Sequence, residues 1–137
     1  IKHLVEFGTI VIAGGGGGIP AYNKNDGTLE GLDGVIDKDM SAALLGRVLK
    51  AEELFIITDV ENIFINFNSA NQKAILKTDI KELTLWLNNG EFGEGSMAPK
   101  IRAAIYFLKY HGKKVIITSL NKIEDAINGN AGTIITN

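Results

Sequence analysis

Short runs of β-branched residues alternate with longer amphipathic stretches along the chain, and this alternation constrains the fold more than any other feature. Such a pattern favours an α/β fold with a mostly parallel sheet and right-handed crossovers. The apolar runs predict strands at residues 9–13, 54–58, 63–66, 115–118 and 133–136. The stretches between them predict helices that begin near residues 40, 79 and 99, and a short helix at 122–127.

Length and composition favour one globular domain over residues 1–137, because 45% of the residues are hydrophobic and 22% are charged. The formal charge is -2, and no block of five like charges is present to follow a phosphate backbone or an anionic lipid surface. We therefore expect no nucleic-acid partner and no membrane surface. No apolar run approaches the ~20 residues of a membrane helix, so we expect neither a membrane span nor a signal peptide.

The absence of cysteine bears on the cellular compartment of the protein, and the first residues bear on whether the chain is part of a longer one. Zero cysteines exclude disulfides, thiolate zinc sites and a cysteine nucleophile, and are compatible with a cytoplasmic protein. Ile1 is not an initiator methionine, and the residues after it read like the interior of a protein. We interpret the chain as part of a longer polypeptide.

Five consecutive glycines, Gly14 to Gly18, follow the first predicted strand, where ligands bind in parallel sheets. The run fits neither a dinucleotide fingerprint, because Ile19 or Pro20 takes the place of its third glycine, nor a P-loop, which needs Gly-Lys-Ser/Thr. Without Cβ atoms, these residues allow backbone N–H groups to approach a compact anion or small substrate. The alternative is a flexible surface turn.

Lys38 and Lys100 each lie beside the predicted N-terminus of a helix, where a cation is unfavourable unless an anion offsets it. For Lys38, the neighbouring Asp37 and Asp39 are possible partners, and either aspartate is a possible N-cap. For Lys100, the N–H groups after Gly95 predict a phosphate site. Two lysines that meet at a transferring phosphate would stabilise its developing charge.

Thr58 and Asp59 end a predicted buried strand and offer a hydroxyl and a carboxylate to a sugar, a phosphate or a metal-bound water. The same pair is also ordinary turn chemistry. The sequence assigns no metal ligand.

Taken together, these motifs resemble the carbamate kinase family of the amino acid kinase superfamily. The resemblance runs through nearly the whole chain, in the order 12–20, 34–39, 44–45, 58–60, 65–67, 72–74, 95–100 and 131–133. It covers only the C-terminal, nucleotide-binding portion of such an enzyme, without the N-terminal half. Three departures from the family pattern are Glu61-Asn62 in place of a common Asp-Gly pair, Ala98 in place of a common glycine, and five glycines in place of four.

The resemblance implies a three-layer αβα sandwich around a mostly parallel sheet, in a cytoplasmic homodimer. It implies reversible phosphoryl transfer between carbamoyl phosphate plus ADP and carbamate plus ATP, with Mg²⁺, typically at the end of arginine fermentation. Two alternatives stay open. One is another kinase of the superfamily, acting on acetylglutamate, glutamate or uridylate, although the Lys38 position favours the carbamate enzymes. The other is a non-catalytic nucleotide-binding module.

Residue roles also follow from the resemblance. Lys38 and Lys100 match lysines that stabilise the phosphoryl group, and Asp39 matches the aspartate that orients them. The substrate-facing loop corresponds to Gly14, Gly15 and Gly16. The nucleotide side corresponds to Thr58, Asp59, Val60, Phe67, Ser96 and Met97.

Overall fold

The structure is a computed structural model that describes all 137 residues. Its helices are α1 (Lys2–Glu6), α2 (Lys38–Leu49), α3 (Ile80–Asn88), α4 (Met97–Lys109) and α5 (Ile123–Ile127), with a 3₁₀ turn at Leu120–Lys122 before α5. Its strands are β1 (Ala21–Asn23), β2 (Leu29–Gly31), β3 (Glu53–Thr58), β4 (Ile63–Ile65), β5 (Lys73–Ile75), β6 (Lys77–Asp79), β7 (Lys114–Ser119) and β8 (Thr133–Thr136).

Four strands form the central sheet in the order β3-β7-β8-β6. The β3–β7 and β6–β8 pairs are parallel and the β7–β8 pair is antiparallel, which confirms the predicted α/β fold with a mostly parallel sheet. Val115 and Ile117 of β7 belong to the main core, whereas Ile116 and Thr118 alternate to the other face and are also buried. Burial on both faces is what a strand inside a layered α/β fold requires.

Two aspartates start the helices that flank the sheet. Asp37 caps α2, and its Oδ1 accepts a hydrogen bond from the Met40 N–H at 2.7 Å. Asp79 caps α3 in the same way, with the Glu82 N–H at 2.9 Å. Asp37 is therefore the cap of α2, which leaves the neighbouring Asp39 carboxylate available for other contacts.

The core joins α2, α3 and α4 to the sheet, and two glycines leave room for the ring of Phe107 in α4. A Cβ atom on Gly46 would lie 2.7 Å from the ring of Phe107, and one on Gly112 would lie 2.3 Å from the same ring. Phe107 itself is fully buried. Its ring therefore occupies space that any side chain at positions 46 or 112 would need.

The prediction of a strand at residues 9–13 is wrong for this chain. The segment is irregular, and the side chains of Ile10 and Ile12 are 95% and 101% exposed. No other segment pairs with it, so its backbone has no ladder to join.

The run predicted at 63–66 does form a strand, β4, but β4 pairs with β5 in a separate antiparallel hairpin. Thr133 connects this hairpin to the sheet, because its hydroxyl accepts from the Ile63 N–H at 2.8 Å and donates to the Ile75 carbonyl. No helix of the structure is both long and apolar enough to span a bilayer.

Candidate active site

Lys38, Asp39 and Lys100 form one cluster, which we call the lysine–aspartate cluster. The Lys100 Nζ donates to Asp39 Oδ2 at 2.9 Å, and the Lys38 Nζ lies 3.8 Å from the same oxygen. The Asp39 and Lys100 side chains are only 10% and 11% exposed, whereas Lys38 is 64% exposed. Two ammonium groups around one carboxylate leave a net positive charge, which favours an anion beside them.

The cluster lies where two helices begin. Lys38 and Asp39 stand in the first turn of α2, and Lys100 stands close to the start of α4. The N-terminal end of each helix adds a partial positive charge. Residues 61 positions apart in sequence are thus brought together by the packing of α2 against α4.

The start of α4 differs from the expectation of free N–H groups. The N–H groups of Ser96, Met97 and Ala98 all donate to the Gly93 carbonyl, at 3.3, 3.1 and 3.0 Å. The Ser96 side chain makes no capping bond, and the first turn holds no acidic residue. Attraction for an anion at this end therefore comes from the Lys100 ammonium and the helix dipole rather than from unpaired N–H groups.

The glycine run forms a loop beside the start of α2. Gly14, Gly15 and Gly17 have φ values of 87°, 48° and 120°, which side chains disfavour. The Ser41 hydroxyl of α2 donates to the Gly17 carbonyl at 2.9 Å and fixes the loop against the helix.

A cavity of about 410 Å³ lies between this loop and α2. Its walls include Gly14, Gly15 and Lys38, together with the apolar Leu44 and Val48. Gly16 lines an adjoining concavity that Lys38 also borders. All three glycines predicted to face the substrate therefore lie on surfaces that Lys38 shares.

A second cavity, of about 170 Å³, contains every residue predicted for the nucleotide side. We call it the aromatic pocket. Its lining consists of Thr58, Asp59, Val60, Phe64, Phe67, Glu91, Phe92, Gly93, Ser96 and Met97. The Phe64 and Phe67 rings lie 5.9 Å apart with 43° between their planes. Flat apolar walls of this kind suit a nucleobase.

Four lining residues were not predicted from the sequence: Phe64, Glu91, Phe92 and Gly93. Phe64 belongs to a predicted strand, and Glu91 and Phe92 directly precede the loop that leads to α4. Their closeness to Phe67 and Ser96 was the available signal. In the pocket, the Thr58 hydroxyl donates to Asp59 Oδ1 at 3.0 Å, and Glu91 Oε2 accepts from the Asn66 N–H at 3.3 Å.

The arrangement of acidic side chains limits how a metal ion could be held. No group of three or more His, Asp or Glu side chains lies close enough to bind a metal ion. Mg²⁺ usually binds through one or two carboxylates plus substrate phosphates and keeps several waters. A single carboxylate such as Asp59 fits an ion that arrives with a nucleotide, not a permanently bound one.

Comparison with known proteins gives consistent results. Residues 1–119 match the Amino acid kinase family. The carbamate kinase of Thermoplasma acidophilum is 42% identical over 135 residues, which are 98% of this chain and 44% of that protein. Carbamate kinase 3 of Staphylococcus aureus is 42% identical over 138 residues, again 44% of its own length. The chain thus spans less than half the length of the curated relatives that it matches.

Solved structures give the same result for the fold. The carbamate kinase from Giardia lamblia bound to AMP-PNP superimposes with a TM-score of 0.93 at 41% identity, over 98% of this chain and 47% of that one. N-acetylglutamate synthase from Neisseria gonorrhoeae shares the fold, with a TM-score of 0.69 at 16% identity, over 98% of this chain and 29% of that one. Since the family match covers most of the sequence and the fold agrees, the chain belongs to the amino acid kinase family.

Proposed function

We propose that these residues are the nucleotide-binding portion of a carbamate kinase, which transfers a phosphoryl group reversibly between carbamoyl phosphate plus ADP and carbamate plus ATP. The observation that carries the proposal is the sharing of Asp39 Oδ2 by Lys38 and Lys100. The similarity to carbamate kinases at about 42% identity supports it.

In this proposal, the lysine–aspartate cluster holds its positive charge in place before the substrates bind. Asp39 fixes the Lys100 ammonium through a 2.9 Å contact, and both side chains are nearly buried. Charge that is already oriented costs little reorganisation when negative charge moves onto the phosphoryl oxygens. Lys100 then contacts the transferring group, and Asp39 positions Lys100.

Each of the two cavities binds a different substrate. The aromatic pocket receives the nucleoside. Ser96 and Met97 line this pocket and stand at the start of α4, the helix that carries Lys100. Lys38 is more exposed and lines the cavity beside Gly14 and Gly15, so it serves the carbamate or carbamoyl side. Mg²⁺ enters with the nucleotide phosphates, and Asp59, which lines the aromatic pocket, is a candidate to hold one of its waters.

The rest of the enzyme, in this proposal, is an N-terminal half that adds further substrate contacts and supports a homodimer. The relatives are more than twice the length of the chain. The exposed apolar segment at 9–13 supports the idea, because it has the composition of a buried strand without a partner.

The test is ATP formation by the full-length protein that contains these residues, supplied with carbamoyl phosphate, ADP and Mg²⁺. We expect faster turnover with this pair than with acetyl phosphate in place of carbamoyl phosphate. Acetylglutamate, glutamate and uridylate are offered with ATP in parallel. Phosphorylation of one of these in place of carbamate would assign the chain to another kinase of the family.

The alternative of a non-catalytic module is tested on the 137-residue chain itself. Calorimetry with ADP and Mg²⁺ should show saturable binding at micromolar to low-millimolar nucleotide. Binding by the full-length protein without turnover of any acceptor would favour the module. An absence of nucleotide binding by the full-length protein would contradict both proposals.

A further inference from the structure

The aromatic pocket contains carboxylates but no cation. Among its ten lining residues, Asp59 and Glu91 are acidic and none is Lys or Arg. A phosphate group therefore meets no cationic side chain inside it, whereas a nucleoside brings only neutral groups. Of those groups, hydroxyl and amino protons are the ones that a carboxylate can accept.

Glu91 is held at one oxygen and free at the other. Its Oε2 accepts from the Asn66 N–H at 3.3 Å, while Oε1 has no hydrogen bond and the side chain has no ion-pair partner. The residue is half-buried at the wall of the pocket. A carboxylate oxygen that has no partner in the protein can accept a hydrogen bond from a donor on a ligand.

The contact with Asn66 also links Glu91 to the turn that precedes Phe67. Asn66 has a left-handed φ of 52°, and the next residue is Phe67, whose ring lines the same pocket. Glu91 thus holds the turn that carries one aromatic wall, and it lines the same pocket as that wall. A base packed on the phenylalanines would place its attached sugar at the rim, within reach of a carboxylate.

We infer that Glu91 Oε1 accepts a hydrogen bond from a ribose hydroxyl of the bound nucleotide, which makes Glu91 a specificity-determining residue for ribonucleotides; this rests on the proposed function. A hydroxyl that donates to an ionised carboxylate makes a short, charge-assisted bond. Loss of the hydroxyl leaves the carboxylate unpaired against the sugar, so discrimination should be clear.

The experiment compares dissociation constants for ADP, 2′-deoxy-ADP, 3′-deoxy-ADP and IDP, measured by calorimetry on the full-length protein. The wild type should bind ADP at least about tenfold more tightly than one of the two deoxy analogues. In Glu91→Ala, the ratio of the dissociation constant of that deoxy analogue to the dissociation constant of ADP should fall to about one to three. Glu91→Gln keeps an acceptor oxygen for Asn66 and should give an intermediate ratio.

Glu94→Ala is the matched control. Glu94 is an exposed carboxylate three residues away, paired with Arg102 and outside the pocket lining, so its loss should leave the ratio unchanged. A purely structural role for Glu91 would weaken ADP and both deoxy analogues by the same factor, and the ratio would stay at its wild-type value.

An unchanged ratio in Glu91→Ala, with ADP still bound, would overturn the inference and leave the proposed function intact. Loss of discrimination against IDP instead would assign Glu91 to the base amino group and also overturn it. If Glu91→Ala does not fold, a wild-type ratio in Glu91→Gln overturns it. If the wild type binds no ADP, the proposed function fails first and the inference falls with it.

Discussion

Residues 1–36 and residues 37–137 differ in how they are held. Every buried residue of the chain lies at Asp39 or beyond, and none lies in the first 36. The earlier part consists of α1, the glycine loop and the β1–β2 hairpin, which are stabilised mainly by local hydrogen bonds. Contacts of Gly17 with Ser41 and Ile36 attach its loop to the start of α2.

The difference shows what apolar sequence can and cannot do alone. Residues 9–13 and 115–118 are both runs of β-branched and small residues, but only the second forms a strand. Its backbone hydrogen-bonds to β3 on one side and to β8 on the other, and its side chains are covered on both faces. Strand formation thus depends on partners more than on composition.

The largest expected effect separates the two regions by stability. Phe107→Ala should lower the free energy of unfolding by roughly 3–5 kcal/mol, because a fully buried ring is lost from between α2 and α4. Ile12→Ala, at a fully exposed side chain, should change it by less than about 0.5 kcal/mol. Urea denaturation of the 137-residue chain measures both, and equal losses would contradict the comparison.

The next effect concerns catalysis by the packed region. Lys100→Ala in the full-length protein should lower kcat by roughly 10² to 10³ with a smaller change in nucleotide KM, because in the proposed function its charge contacts the phosphoryl group mainly in the transition state. Lys100→Arg should restore activity only in part, since a planar guanidinium replaces a compact charge. Steady-state kinetics gives the answer, and an unchanged kcat would remove Lys100 from the catalytic residues.

A smaller effect distinguishes Asp39 from the adjacent Asp37. Asp39→Asn keeps the shape but loses the charge that holds two ammonium groups, so turnover should fall at least about tenfold. The melting temperature should also fall, because the nearly buried Lys100 ammonium loses its counter-charge. Asp37→Ala removes the cap of α2 and should cost about 1 kcal/mol of stability.

Turnover and thermal unfolding are measured together on both variants. Full turnover in Asp39→Asn would exclude the positioning role. Asp37→Asn, which keeps the capping oxygen, is the matched control and should retain stability.

The smallest effect lies within the β1–β2 hairpin. Lys24 and then Tyr22 hydrogen-bond the Glu30 carboxylate and lower its pKa. Because the folded-state pKa lies below the unfolded one, this contact stabilises the hairpin above the unfolded pKa and is lost as pH falls through the folded pKa.

An NMR titration of Glu30 tests that description. Lys24→Ala should raise the pKa of Glu30 towards its ordinary value. Lys122→Ala, in the packed region, should leave it unchanged. A shift of Glu30 in the second variant would show that the hairpin is coupled to the rest of the molecule.

The sequence predicted the elements whose signals are local. β3, β7, β8, α2, α3 and α4 follow from continuous apolar runs, aspartate caps and helical periodicity. The three-residue strands β1, β2, β5 and β6 were not predicted, because such short segments are defined by the partner that they pair with.

The candidate site could be predicted from the sequence only in part. Lysines at two helix starts suggested a phosphate site, but their shared contact with Asp39 depends on how α2 packs on α4, which spacing does not reveal. The aromatic pocket contains the six residues that the resemblance assigned to the nucleotide side, yet Glu91 carries no pattern of its own. Its environment comes from the turn at Asn66 and exists only in the fold.

The close approach at Gly46 limits how this sequence can change during evolution. Lys38 and Asp39 belong to α2, Lys100 belongs to α4, and the ring of Phe107 leaves no room for a side chain at position 46. The spacing between the two helices therefore sets the distance from the Asp39 carboxylate on α2 to the Lys100 ammonium on α4. A single methyl at position 46 would push α2 away from α4 and change the distance between Asp39 and Lys100 without replacing either residue.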